Sequence, residues 1–122
     1  MLRTMMKSKI HRAAITGLRI DYEGSIAIDE DLLDAADILP GEQVHVLNLS
    51  NGSRIDTSAI RAPRGSGTIE LNGPAARMGV AGDLVVVITY AQVDDAEARA
   101  LVPRVVRVDA KNRARGVSRR RK

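Results

Sequence analysis

The sequence predicts a mainly β fold, a small barrel with short helices, and three observations predict it. Stretches rich in Val, Ile and Leu recur at least six times between turn signals such as Pro40-Gly41, Asn51-Gly52 and Asn72-Gly73-Pro74. The longest, Leu84-Val85-Val86-Val87-Ile88-Thr89-Tyr90, is an unbroken, largely β-branched run, which implies burial on both faces. The helical patterns between these runs are brief. Hydrophobic residues make up 44% of the 122 residues but aromatics only 2%, so the core must be built from Val, Ile, Leu and Ala. A chain of this length is one domain with a modest core that neighbouring subunits would complete.

In chain order, residues 1–20 hold apolar pairs between Lys7, Lys9, His11 and Arg12, read as two strands with a bend near Gly17. Ser25-Ile26-Ala27-Ile28 resumes as a strand after a turn at Gly24. Asp29 suits the N-cap of a helix running to about Asp37, with Glu30 and Asp31 in its first turn and Leu32, Leu33 and Ala36 as its buried side. Strands follow over 43–49 and 54–62, joined by a hairpin at Asn51-Gly52. After the loop Pro63-Arg64-Gly65-Ser66-Gly67 comes a strand over 68–71, then a helical turn with Pro74 at its first position, ending near Met78. The strand 84–90, a helix over 94–101 and a last strand over 105–108 complete a body of residues 1–109. Residues 110–122 read as a basic, disordered tail, because they are charged and lack apolar periodicity.

That tail controls the net charge of +4. Seven of the 19 Lys and Arg lie after residue 110 and all 15 Asp and Glu lie before it, so the body is net −3. A short basic end without a stacking aromatic argues against nucleic acid as a partner. No apolar run approaches membrane-spanning length and the first residues lead into charge, so no membrane partner is expected. The absence of Cys removes disulfides and thiol nucleophiles and fits a cytoplasmic protein. His11 and His45 lack a carboxylate cluster to complete a metal site, so no metal is expected, and His11 reads as structural.

The chemistry centres on Tyr22-Glu23-Gly24-Ser25. Gly24 lets the backbone bend and Ser25 sets a hydroxyl against the carbonyl before it. In most proteins Gly-Ser in a turn is only a turn. If the fold strains the bond, however, the Ser25 hydroxyl can attack the Gly24 carbonyl to give an ester. Elimination and hydrolysis then cut the chain and leave a pyruvoyl group at position 25. Such a carbonyl is an electron sink for decarboxylating an amino acid, and the sequence offers no alternative: no lysine sits in a phosphate-cradling glycine loop that would indicate pyridoxal phosphate.

Met1-Leu2-Arg3-Thr4-Met5, Lys9-Ile10-His11-Arg12, Tyr22-Glu23-Gly24-Ser25, Leu33-Asp34-Ala35-Ala36, Arg54, Thr57, Arg64-Gly65-Ser66, Asn72-Gly73 and Gly82-Asp83 stand in the order and spacing of bacterial aspartate 1-decarboxylases, and the chain resembles that family over about residues 1–109. The resemblance implies a double-psi β barrel, cleavage between Gly24 and Ser25, a Ser25-derived pyruvoyl group that forms a Schiff base with L-aspartate, and a homotetramer with pockets between subunits. It makes Lys9, Arg54, Thr57, Asn72, Gly73, Pro74 and Ala75 substrate-binding, with Tyr22 supporting. A bidentate Arg54 clamp suits an acidic substrate. Ser58 stands where the family has Tyr, the phenol that returns a proton to the α carbon. Pro74 stands for Ala and Arg77 for the more usual His. A serine hydroxyl is shorter and a far weaker acid than a phenol with a pKa of about 10. Three readings stay open: the family reaction with a water held by Ser58, a different or substituted acidic amino acid, or an unprocessed, non-catalytic barrel. The sequence also leaves room for a maturation factor.

Overall fold

Ser25–Asp29 is the shortest path into the fold, because all five residues of this strand are buried. The computed structural model describes residues 1–118. Nine strands form one ladder: β1 (Leu2–Ala14), β2 (Gly17–Arg19), β3 (Ser25–Asp29), β4 (Gln43–Asn48), β5 (Arg54–Ala62), β6 (Ile69–Asn72), β7 (Leu84–Asp94), β8 (Arg104–Val108) and β9 (Ala114–Ser118). Their order is β2-β6-β3-β5-β4-β7-β1-β8-β9. Helix α1 (Glu30–Ala36), a 3-10 helix (Gly73–Met78) and α2 (Asp95–Ala100) fill connections. Parallel pairings of β3 with β5 and of β1 with β8 interleave with antiparallel neighbours, so the mainly β, barrel-like expectation is met.

Core side chains come from one face of each strand. Ile10, Ile26, Ile28, Val44, Val46, Val85, Val87 and Val106 are each 2% exposed or less. β1 alternates poorly in sequence for a structural reason. Its register against β7 shifts between Met6 and Ser8 and again between Ile10 and Ala13, where Arg12 takes φ 64°, and each shift resets which face is buried.

α1 begins and ends as its sequence dictates. The Asp29 carboxylate accepts from the Asp31 amide at 2.8 Å, and Asp37 closes the helix in the left-handed region. Asp29, 2% exposed, also accepts from the amides of Gly65 and Gly67, which ties the end of β3 to the loop before β6. At the β4–β5 hairpin the positive φ falls on Gly52, at 76°.

The tail reading is corrected for residues 110–118. Ala114–Ser118 pairs antiparallel with β8, and Asn112 in the preceding turn is 2% exposed. Asn112 accepts from the Ala14 amide and donates to the carbonyls of Ala14 and Gly67, each at 2.8 Å. These bonds join the β8–β9 end of the ladder to the approach to β6, closing the barrel where no strand pairing does. Gly67 must be glycine, because a Cβ there would lie 2.5 Å from the Lys111 carbonyl oxygen at φ +69°. The expectation for Arg119–Lys122 lies outside the described residues. Among the described residues no helix is long and apolar enough to cross a membrane.

Asn112→Ala would take the side-chain partner from the buried Gly67 carbonyl and from the half-buried Ala14 amide and carbonyl, and should cost about 2–4 kcal/mol. Urea unfolding checks this at fixed protein concentration, and a change below about 0.5 kcal/mol would show that the turn contributes no closure.

Candidate active site

The site is built where β3 starts and β6 ends. Ser25 and Asn72 are direct partners in the antiparallel β3–β6 pairing, and both are nearly sealed, at 3% and 1% exposed. The Ser25 hydroxyl donates to the Glu23 carbonyl at 3.0 Å and accepts from the Asn72 side-chain amide at 3.0 Å. One end of the hydroxyl is therefore turned back on the segment that precedes the Gly24-Ser25 bond, and the other is fixed by the neighbouring strand. The Asn72 side-chain oxygen is buried without a hydrogen-bond partner. A buried acceptor left open beside a hydroxyl is costly unless a further group fills it.

Gly73 presses against the same segment. At φ +65° a Cβ on it would stand 2.8 Å from the Gly24 nitrogen, 2.9 Å from the Gly24 Cα and 2.9 Å from the Tyr22 carbonyl oxygen. Only glycine permits that approach. Pro74 follows as the second residue of the 3-10 helix, and its Cδ would lie 3.7 Å from a Cβ on Gly24. The far end of the 3-10 helix is clamped by the β4–β5 hairpin. Asn48, Asn51 and Ser53 all donate to the Met78 carbonyl, at 3.2, 3.0 and 3.2 Å. Asn48 also bonds Asp83, whose carboxyl is held below its ordinary range by that amide and by the Val80 amide.

Gly24, Ile55, Asp56, Thr57, Pro74, Ala75 and Met78 line a cleft of about 300 Å³. The structure thus brings together Gly24, Ser25, Thr57, Asn72, Gly73, Pro74 and Ala75. Tyr22 is near through its backbone, while its ring lies under the Arg19 guanidinium at 5.0 Å and is 46% exposed.

Lys9, Arg54 and Ser58 are placed elsewhere. Register pairs Lys9 with Ile88, Ile88 with His45, His45 with Asp56, Leu47 with Arg54 and Gln43 with Ser58. All of these, with Tyr90 two residues beyond Ile88, therefore point to the face of β1, β7, β4 and β5 that is opposite the core. Lys9 is half-buried within the sheet, not on an edge, and Arg54 and Ser58 are exposed. Arg54 donates to the Tyr90 hydroxyl at 3.2 Å, and the Tyr90 ring stands edge-on to His45 with centroids 5.1 Å apart. Sequence reasoning placed Tyr90 only at the end of the apolar run 84–90 and gave it no role in the site.

Chemically, the arrangement offers a sealed, doubly bonded serine hydroxyl next to a glycine carbonyl, a small cleft over that bond, and a separate cationic face. Residues 1–115 match the sequence family described as aspartate decarboxylase. The chain is similar to the aspartate 1-decarboxylase of Syntrophobacter fumaroxidans, 58% identical over 93% of this chain and 91% of the relative. The proteins of the same name from Albidiferax ferrireducens and Thermoanaerobacter pseudethanolicus are each 54% identical over 93% of this chain, covering 84% and 97% of their own lengths. A sequence match that spans the Gly24-Ser25 junction, the cleft and the cationic face alike shows that this chain belongs to the aspartate decarboxylase family.

Proposed function

We propose that this protein decarboxylates L-aspartate to β-alanine and carbon dioxide, supplying pantothenate synthesis, after its chain cuts itself between Gly24 and Ser25. The observation that carries the reading is the Ser25 hydroxyl held by Asn72 against a backbone that Gly73 crowds, in a chain of this family. Asn72 fixes the oxygen, and Gly73 restricts the conformations open to the Tyr22–Gly24 backbone. The attack then breaks the C–N bond and transfers the Gly24 acyl group to the Ser25 oxygen. Elimination and hydrolysis divide the chain into residues 1–24 and 25–122.

The residues present fit the pyruvoyl group that results. Ser25 is its source, the Asn72 amide N–H that donates to the serine oxygen is a donor a carbonyl at this position would take, and the cleft beside Gly24 gives steric room. When formed, the group supplies an electron sink for the pair released with carbon dioxide. Thr57 and Ala75 bound the substrate beside it, Gly73 backs the Gly24 segment, and Pro74 narrows the cleft without a backbone donor. Arg54 and Lys9 supply the charge that an acidic substrate needs.

A homotetramer supports this division of labour. Within one chain Arg54, Lys9 and Ser58 face away from the core, whereas Ser25 is buried beside Asn72, so a neighbouring subunit is the means of uniting the two halves. Leu18, Ile20 and Tyr22, just before the cleavage site, are 38–47% exposed and suit burial in such an interface.

Three outcomes are expected. Carbon dioxide release from aspartate should be abolished by Ser25→Ala, and borohydride with labelled aspartate should label only residues 25–122 of the native protein; equal release from both forms would overturn the reading. Gly73→Ala should slow cleavage at least about tenfold, because the new Cβ meets backbone below 3 Å and φ > 0 alone costs about 1 kcal/mol. Gel analysis over time checks it. Arg54→Ala should raise KM for aspartate by about 100-fold while leaving cleavage intact, in line with loss of a charge-assisted pair of about 3 kcal/mol.

A further inference from the structure

Any decarboxylation that keeps the amine must return a proton to the α carbon, so an acid has to stand where the substrate is held. The face that presents Arg54 also carries Lys9, His45, Asp56, Ser58 and Tyr90, and the phenol of Tyr90 is the group bonded to Arg54. The Asp56 carboxylate accepts from the Gln43 side chain at 2.8 Å. Ser58 is exposed and its hydroxyl is too short and too open to solvent to hold an ordered relay. Tyr90 differs on each count. It is half-buried, its ring is set edge-on against His45, and its oxygen accepts from Arg54 at 3.2 Å. Because that oxygen accepts from Arg54, the phenol keeps its own O–H as a donor. The other tyrosine, Tyr22, has its ring under Arg19 and no contact with Arg54.

We propose that Tyr90 is the catalytic acid of this enzyme, taking at the Arg54 face the role that Ser58 cannot fill. The inference rests on the reading of the protein as an aspartate decarboxylase whose substrate carboxylate meets Arg54. The bond from the α carbon to the carboxylate breaks, carbon dioxide leaves, and the electron pair it releases takes the phenol proton as a C–H bond forms and the O–H bond breaks. The phenolate left behind faces the Arg54 guanidinium and recovers its proton from water. No oxidant or further reactant is required. One side chain thus completes a contact between the carboxylate clamp and the proton source, across a strand that separates them in the ladder.

Tyr90→Phe keeps the ring against His45 and removes only the hydroxyl. Cleavage into residues 1–24 and 25–122 and the oligomeric state should match the native protein. The kcat for aspartate should fall about 100-fold or more, the scale of a lost general acid, with KM within about twofold. In deuterated water the label in β-alanine should be stereospecific for the native enzyme and scrambled for the variant. Adding Ser58→Tyr to Tyr90→Phe should restore at least about a tenth of the native kcat. In the Ser25→Ala protein, which cannot form the carbonyl, succinate binding should give a tyrosine difference spectrum that Tyr90→Phe loses. An unchanged kcat, a defect confined to KM, or retained stereospecificity in the variant would overturn the proposal. Native protein that never cleaves would instead sink the underlying functional reading.

Discussion

The contact on which the rest depends is the one between the end of β6 and the start of β3. Asn72 and Ser25 are register partners, so the backbone pairing that builds the barrel also sets an amide on the serine oxygen. Gly73 then turns back at positive φ onto the Tyr22–Gly24 backbone, and no other residue could come that close. Much of the surrounding structure holds these two strands in place. Asp29 ties the far end of β3 to the loop before β6 through the Gly65 and Gly67 amides. Asn112 secures Gly67 from the other side. The β4–β5 hairpin fixes the far end of the 3-10 helix with three donors on one carbonyl.

This distribution of bonds explains why a barrel with few aromatics can hold a reactive peptide in place. A core of Val, Ile, Leu and Ala packs without polar atoms, and the buried polar groups Ser25, Asp29, Asn72 and Asn112 stand around the site, with Ser8, Asn48 and Thr89 buried elsewhere. Each of these bridges elements distant in sequence, so each has its partners only in the folded chain. The outer face of β1, β7, β4 and β5 has the opposite character. It carries Lys9, His45, Arg54, Asp56 and Tyr90, joined among themselves by the Arg54–Tyr90 bond and the His45–Tyr90 ring contact.

What was legible in the sequence was what is local. The α1 boundaries follow from Asp29 and its first-turn acids, and β5 runs from Arg54 to Ala62 as its pattern reads. β7 is longer than its apolar run because Ala91–Val93 pair with Arg3–Met5, a contact that begins some 90 residues away in the chain. β9 was missed for a related reason: it is an edge strand with exposed residues, and its anchor, Asn112, resembles any polar turn residue until Ala14 and Gly67 stand beside it. Gly24, Ser25, Asn72 and Gly73 were found by resemblance, and the structure adds the reason for each. Tyr90 was invisible because its partner, Arg54, lies 36 positions away across β4.

The central claim is that the fold turns the Gly24-Ser25 peptide into two chain ends, one of them a carbonyl. Intact-mass measurement of the purified protein after warm incubation tests this most directly. The account requires two species, one of residues 1–24 and one of residues 25–122 whose first residue lacks the elements of ammonia relative to serine. A single unbroken 122-residue chain, stable through incubation and silent towards aspartate, would contradict it.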